Sequence, residues 1–226
     1  MPNETKPVIA VLGGTGKEGG GLALRWAHKG YPVIIGSRTA ERAGEAAAAM
    51  NDTLGGGAIE GAANPDAAAR AQIVVLAVPY AAQQSTVQEV REQLKGKILI
   101  DVTVPLVPPK VSRVQLPEGG SAVEAVQTLL GEDTKVVSAF QNISAHHLTN
   151  LDEDADCDVL VCADDPETAN LVVALAQEIG LKAWNAGPLA NSVVAEALTS
   201  VLIALNRRYK VTSSGIRITG VPRDAA

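Results

Sequence analysis

Val8-Ile9-Ala10-Val11-Leu12-Gly13-Gly14-Thr15-Gly16-Lys17-Glu18-Gly19 is the stretch on which the fold turns. Five consecutive apolar residues ending in glycine read as a strand buried on both faces. Residues 16–28 then read as a helix, stopped at Gly30, and Val33-Ile34-Ile35 as a second strand close behind. Gly14-x-Gly16-x-x-Gly19 therefore sits between strand and helix, where the pattern serves a dinucleotide. Gly14 is read as the tight-turn residue, Gly16 as the point of backbone approach to a pyrophosphate, and Gly19 as the contact of helix with strand. The amides opening the helix then face the phosphates.

Outward from this turn, short apolar strands (73–78, 98–101, 135–138) alternate with helical stretches (40–50, 81–94, 121–130). Alternation on this scale means βαβ units and a parallel sheet. The fold class is α/β: a Rossmann-type doubly wound parallel sheet over residues 1–140, then a smaller α/β domain over residues 141–226. In the second part 158–162 and 182–184 read as strands and 166–179 as a helix. A long helix follows over 189–209, opened by Pro188. Residues 102–120 hold Pro105, Pro108, Pro109 and Pro117 and read as an irregular loop, functional or mobile. The long helix is nearly all apolar at Val193, Val194, Ala197, Leu198, Val201, Leu202 and Leu205. An apolar helix ending a small domain implies a homodimer contact.

Composition bounds the function. The 226 residues are 46% hydrophobic but only 3% aromatic, so the core is aliphatic, as parallel sheets favour. A net charge of −6 speaks against a nucleic-acid or anionic-membrane partner. No stretch reads as membrane-spanning, and Met1-Pro2-Asn3-Glu4-Thr5-Lys6-Pro7 is not a secretory signal, so a cytoplasmic protein is expected. Cys157 and Cys162 are too few for a disulfide framework and read as inert. The run from Asp152 to Asp156 reads as a solvated loop.

The end of the second strand selects the dinucleotide. An NAD site places Asp or Glu there for the ribose hydroxyls. This chain has Gly36-Ser37-Arg38, then Arg42, with no acid. Arginine's planar fork suits the 2′-phosphate of NADP, and Ser37 adds a hydroxyl. His146 and His147 are adjacent and share no face of a helix or strand. No metal site and no nucleophilic or acid–base catalytic residue is read, since hydride transfer between stacked rings needs alignment more than proton transfer.

Val11-Leu12-Gly13-Gly14-Thr15-Gly16, Gly21 to Arg25 and Gly36-Ser37-Arg38 resemble the coenzyme F420-dependent NADP oxidoreductases. The likeness continues through Val137-Ser138-Ala139-Phe140, Asn150-Leu151-Asp152, Val161 to Asp165, Ala186-Gly187-Pro188-Leu189, Asn191-Ser192 and Glu196-Ala197-Leu198-Thr199. The resemblance implies hydride transfer between NADP(H) and the deazaflavin coenzyme F420, held in the cleft between the two domains. It implies pyrophosphate contacts at Thr15, Gly16, Lys17 and Glu18, and 2′-phosphate contacts at Ser37, Arg38 and Arg42. Val78 and Pro79 would lie against the nicotinamide, near Ala145. Gln141, Asn142, Ile143, Gly187, Pro188 and Leu189 would meet the deazaflavin. The chain departs from the family at Gln141, where relatives carry His, and at Val193, where they carry Arg. The alternatives to this reading are an NADPH-dependent reductase of a flavin or an imine, and a non-enzymatic NADP-sensing module.

Overall fold

The computed structural model describes residues 6–148, 150, 151 and 153–222. Most of the N-terminal segment read as polar, together with Asp152 of the acidic run, lies outside the described residues. Eight strands and eight helices follow in order: β1 (Ile9–Leu12), α1 (Lys17–His28), β2 (Val33–Ser37), α2 (Ala40–Leu54), β3 (Ile59–Ala63), α3 (Asn64–Arg70), β4 (Ile73–Leu76), α4 (Tyr80–Glu89), α5 (Arg91–Leu94), β5 (Ile98–Asp101), α6 (Ala122–Leu130), β6 (Lys135–Ser138), β7 (Ala155–Val161), α7 (Pro166–Glu178), β8 (Leu181–Asn185) and α8 (Ser192–Tyr209).

Strands β1 to β6 form one parallel sheet in the order β3-β2-β1-β4-β5-β6. The order reverses between β1 and β4, and doubly wound sheets bind their ligands at that switch, beyond the strand C-termini. The central strands β1 and β4 are buried along their whole length, as their unbroken apolar runs require. β7 and β8 form a separate parallel pair. The two sheets meet where Ser138 and Cys162 exchange backbone hydrogen bonds of 2.9 Å in each direction.

One apolar core fills the α1 side of the sheet and continues past Phe140 through Ile143 and Leu148 to β7, α7 and β8. At its centre the Trp26 and Phe140 rings meet edge to face, 5.9 Å apart. Arg25, also on α1, turns into the protein. Its guanidinium donates to the carbonyls of His147, Leu148, Asn150, Glu153 and Ile179. It thereby pins the turn over Ala145–Leu148 and the loop after it to the first helix.

Four expectations change. β3 and α3 have no counterpart in the sequence reading, because Ile-Glu-Gly-Ala-Ala is a weak strand signal and the helix spans only 7 residues. The stretch read as one helix over 81–94 is two, α4 and α5, divided at Val90. Pro188 opens a short 3-10 turn, and α8 proper starts at Ser192. With that turn, Leu189–Tyr209 is long and apolar enough by length and composition to cross a membrane, contrary to the expectation that no stretch is. Its polar residues Ser192, Glu196 and Ser200 are nevertheless buried against the rest of the chain, while Val194, Val201, Leu205 and Tyr209 are exposed.

Candidate dinucleotide and acceptor site

The switch point carries a groove of about 370 Å³ lined by Gly13, Thr15, Gly16, Ser37, Arg38, Arg42, Asn64, Ala77, Val78, Pro79, Ala82 and Thr86. The turn that opens it is fixed by backbone. Gly13 donates to Gly36 O at 3.1 Å, and Gly16 donates to Gly13 O at 2.9 Å. The residue that must be glycine for the turn is Gly13, not Gly14. Its φ is +82°, and a Cβ there would meet the Ala77 carbonyl oxygen at 2.4 Å. Gly14 is needed instead for its packing on Ile35. Gly19 has the helix-contact role expected of it, since its Cβ would press on the Ala77 Cβ at 2.9 Å. A Cβ at Gly16 would meet only the Gly13 carbonyl oxygen, at 3.3 Å, which leaves its outer side open for a ligand. No side chain caps α1, so its first amides keep their donors for an anion.

Among the described residues lining the groove, none is acidic. Ser37 is buried at the end of β2, whereas Arg38 and Arg42 are exposed. Arg38 precedes α2. Thr39 is the N-cap, its Oγ1 accepting from the Arg42 amide at 3.4 Å. Both guanidinium groups therefore belong to one mouth of the groove without sharing a helix face. The groove fits a dinucleotide with a 2′-phosphate: free amides at the turn, two cations at the ribose end and an apolar wall at Val78-Pro79. Asn64, buried with its Oδ1 unpartnered, adds an acceptor that sequence reasoning missed. The Asn-Pro pair opening α3 was the available signal.

Glu18 is half-buried in the first turn of α1, outside the lining of this groove. Burial pushes its carboxyl up to about 8, while the helix-start amides pull the other way. Lys17 and Thr15 are exposed at the turn. Ala145, on a 3-10 turn, lines a neighbouring cavity with Gly16, Lys17 and His146. His147 pairs its Nε2 with Ser213 O at 3.0 Å.

The residues expected to meet the deazaflavin are differently placed. The side chains of Gln141, Asn142 and Ile143 turn inward and are buried. Gln141 Nε2 donates to the Asp101 carbonyl at 2.7 Å, and Asn142 Nδ2 donates to the Asp158 carbonyl at 2.7 Å. The segment can meet a ligand only through its backbone, because those side chains complete the junction between the sheets. At the other wall, the Gly187 amide is taken by Asn185 Oδ1 at 3.1 Å and the Leu189 amide by Asp164 Oδ1 at 2.9 Å. Neither amide of this turn is therefore free for a ligand. Pro188 is exposed and Leu189 buried. Cys157 and Cys162 are free and buried, which pushes both thiols up, Cys162 to about 11.

Residues 8–105 match the family described as NADP oxidoreductase, coenzyme F420-dependent. The F420-dependent NADP reductase of Methanothermobacter thermautotrophicus is 45% identical over 221 residues, covering 95% of this chain and 95% of that relative. The F420-dependent NADP reductase of Methanocaldococcus jannaschii is 45% identical over 221 residues, covering 94% and 98%. Among solved structures, a candidate F420-dependent NADP reductase from Arthrobacter sp. FB24 superposes with a TM-score of 0.78 at 27% identity, covering 94% of this chain and 99% of that one.

Proposed function

Since the chain belongs to the coenzyme F420-dependent NADP oxidoreductases, we propose which of its residues serve the two coenzymes. It is an oxidoreductase that transfers a hydride between NADP(H) and coenzyme F420. The observation that carries the residue assignment is the groove at the switch point, basic at its ribose end and without a carboxylate among its lining residues.

Thr15, Gly16, Lys17 and Glu18 hold the pyrophosphate mainly through the backbone at the α1 start. Ser37, Arg38 and Arg42 hold the 2′-phosphate. Val78 and Pro79 back the nicotinamide, near Ala145. The Gly187-Pro188-Leu189 turn and the backbone of 141–143 would hold the deazaflavin beside the nicotinamide wall. The coenzymes supply the redox chemistry; the protein aligns them and excludes water. No side chain takes or gives an essential proton. Residues 1–140 thus serve as the NADP domain, and residues 141–226 complete the cleft.

We read the protein as a cytoplasmic homodimer. The exposed row Val194, Val201, Leu205 and Tyr209 on α8 supports that reading, and the exposed Val107, Val114 and Leu116 of the 102–120 loop add apolar surface. Arg207 of α8 donates to Ser112 Oγ at 2.9 Å, so the two surfaces adjoin. Anaerobic F420 reduction with NADPH and with NADH tests the cofactor assignment: strong preference for NADPH is expected, and equal use of both overturns it. A monomeric mass by light scattering at micromolar concentration overturns the dimer.

A further inference from the structure

α8 buries Ser192 and Glu196 and half-buries Thr199, three polar residues spaced four and three apart and so on one face of the helix. The Glu196 carboxylate accepts from the Ser121 hydroxyl at 2.7 Å, the Ala122 amide at 2.8 Å and the Val123 amide at 3.2 Å, all at the start of α6. Ser192 Oγ lies 2.7 Å from Ser121 Oγ. From α6 the bonding continues. Gln83 Nε2, on α4, donates to the Ala122 carbonyl at 3.2 Å and to Asp101 Oδ2 at 2.7 Å. The Asp101 carbonyl accepts from Gln141 Nε2 at 2.7 Å, and the Gln141 carbonyl accepts from Thr199 Oγ1 at 2.7 Å. The circuit leaves α8 at Glu196 and returns to it at Thr199.

α6 does not need Glu196 in order to start. Ser121 already caps it, accepting from the Glu124 amide at 3.1 Å. A carboxylate buried to 1% exposure is also a poor way to gain stability, since desolvation offsets most of what its hydrogen bonds return. What the circuit does gain is geometry. α4 begins immediately after Val78-Pro79, and α8 grows out of the Gly187-Pro188-Leu189 turn. Gln83 and Glu196 therefore join the helices that carry the two walls of the cleft.

We propose that Glu196 is a positioning residue for hydride transfer: by clasping the start of α6 it fixes α8, and with it the acceptor wall, against the nicotinamide wall on α4. The proposal rests on the acceptor lying between those walls, as assigned above. Hydride transfer depends steeply on the separation of donor and acceptor, so a small displacement of one wall is felt in turnover more than in NADPH binding.

The test uses the full-length enzyme with NADPH and F420. Glu196→Gln keeps the shape but turns an amide donor toward the α6 amides. It is expected to lower kcat about tenfold and to raise KM for F420, with NADPH affinity held within about twofold. Ser121→Ala should give a smaller loss in the same direction, and the double variant should be no worse than Glu196→Gln alone. If Glu196→Gln does not fold, Thr199→Val opens the circuit elsewhere, and Thr199→Ser, which keeps the hydroxyl, should restore F420 turnover. A folded Glu196→Gln with unchanged F420 kinetics, or with equal losses toward both coenzymes, overturns the proposal. Where the protein does not fold, a Thr199→Val with unchanged turnover does the same. Pro188→Phe puts a bulky side chain on the exposed acceptor wall without removing a bond of the circuit. An unchanged KM for F420 in that variant overturns the cleft assignment and the proposal with it. A raised KM there, beside an unaffected Glu196→Gln, overturns the proposal alone.

Discussion

At the phosphate turn glycines keep side chains out of the groove; α8 buries Ser192, Glu196 and Ser200 and leaves Val194, Val201, Leu205 and Tyr209 on the surface. The groove at β1, β2 and β4 draws its donors from unpaired amides and from cations in solvent, so little of its chemistry is spent on the fold. On the acceptor side Gln141, Asn142, Glu196 and Thr199 are all engaged in hydrogen bonds within the protein. One wall is ready to bind, and the other is chiefly a braced surface. Substitutions on the first should read out in NADPH binding, and those on the second in alignment.

The largest effect should come from Gly13→Val. A side chain there would collide with the Ala77 carbonyl and would have to adopt a φ of +82°, which a β-branched residue disfavours. A loss of at least about 3 kcal/mol in stability is expected, with NADPH binding abolished in whatever folds. Urea unfolding and NADPH titration check it. A stable, NADPH-binding Gly13→Val would mean that the turn is not the anchor of the first wall.

Arg25→Met comes next, because it breaks the brace linking the two regions. It leaves carbonyls of His147, Leu148, Asn150, Glu153 and Ile179 without their donor. A destabilisation of about 2–4 kcal/mol is expected, more than for a single hydrogen bond but less than one full loss per carbonyl, since some regain water. Hydrogen exchange should show residues 145–148 opening before β1. Uniform loss of protection across the chain would show that Arg25 serves the whole core and not this junction.

Arg38→Ala sharpens the contrast from the other side. Removing a charge-assisted phosphate contact costs about 1.5–3 kcal/mol, so KM for NADPH should rise roughly ten- to a hundredfold. KM for NADH and for F420 should scarcely move. Steady-state kinetics with each coenzyme decides it. A matched rise for NADH would place Arg38 away from the 2′-phosphate.

How far each wall could be read in the sequence follows from the same contrast. The phosphate turn announces itself because glycine spacing, strand and helix are local features within residues 8–37. Even there the sequence pattern put the strained turn at Gly14, because what bars a side chain at Gly13 is the Ala77 carbonyl just after β4, far along the chain. β3 and α3 escaped because an Ala-rich segment carries no period to read. On α8 the hydrophobic spacing was correct for a helix but misleading about its faces. Ser192 and Glu196 find their partners at the start of α6, and Thr199 finds the Gln141 carbonyl, all more than fifty residues away. The inward turn of Gln141 has the same origin: its partner is the Asp101 carbonyl, 40 residues earlier.

The smallest expected effect tests whether the phosphate wall is as free of carboxylate charge as its lining suggests. Glu18 stands in the first turn of α1, and burial raises its carboxyl from the usual range to about 8. With the folded value raised, the protonated form is favoured in the native state. Its contribution to stability is whole below about 4.5, and it is lost as pH climbs through 8. Over the upper part of that window a negative charge develops beside the bound phosphates. KM for NADPH should therefore rise between pH 7 and 9 by roughly threefold, as for charges several ångström apart in a largely aqueous dielectric. Glu18→Gln should flatten that rise and leave KM at pH 7 almost unchanged, because the native side chain is already mostly neutral there. If the first-turn amides outweigh burial, Glu18 is ionised throughout. The wild-type profile is then flat, and Glu18→Gln lowers KM for NADPH equally at every pH.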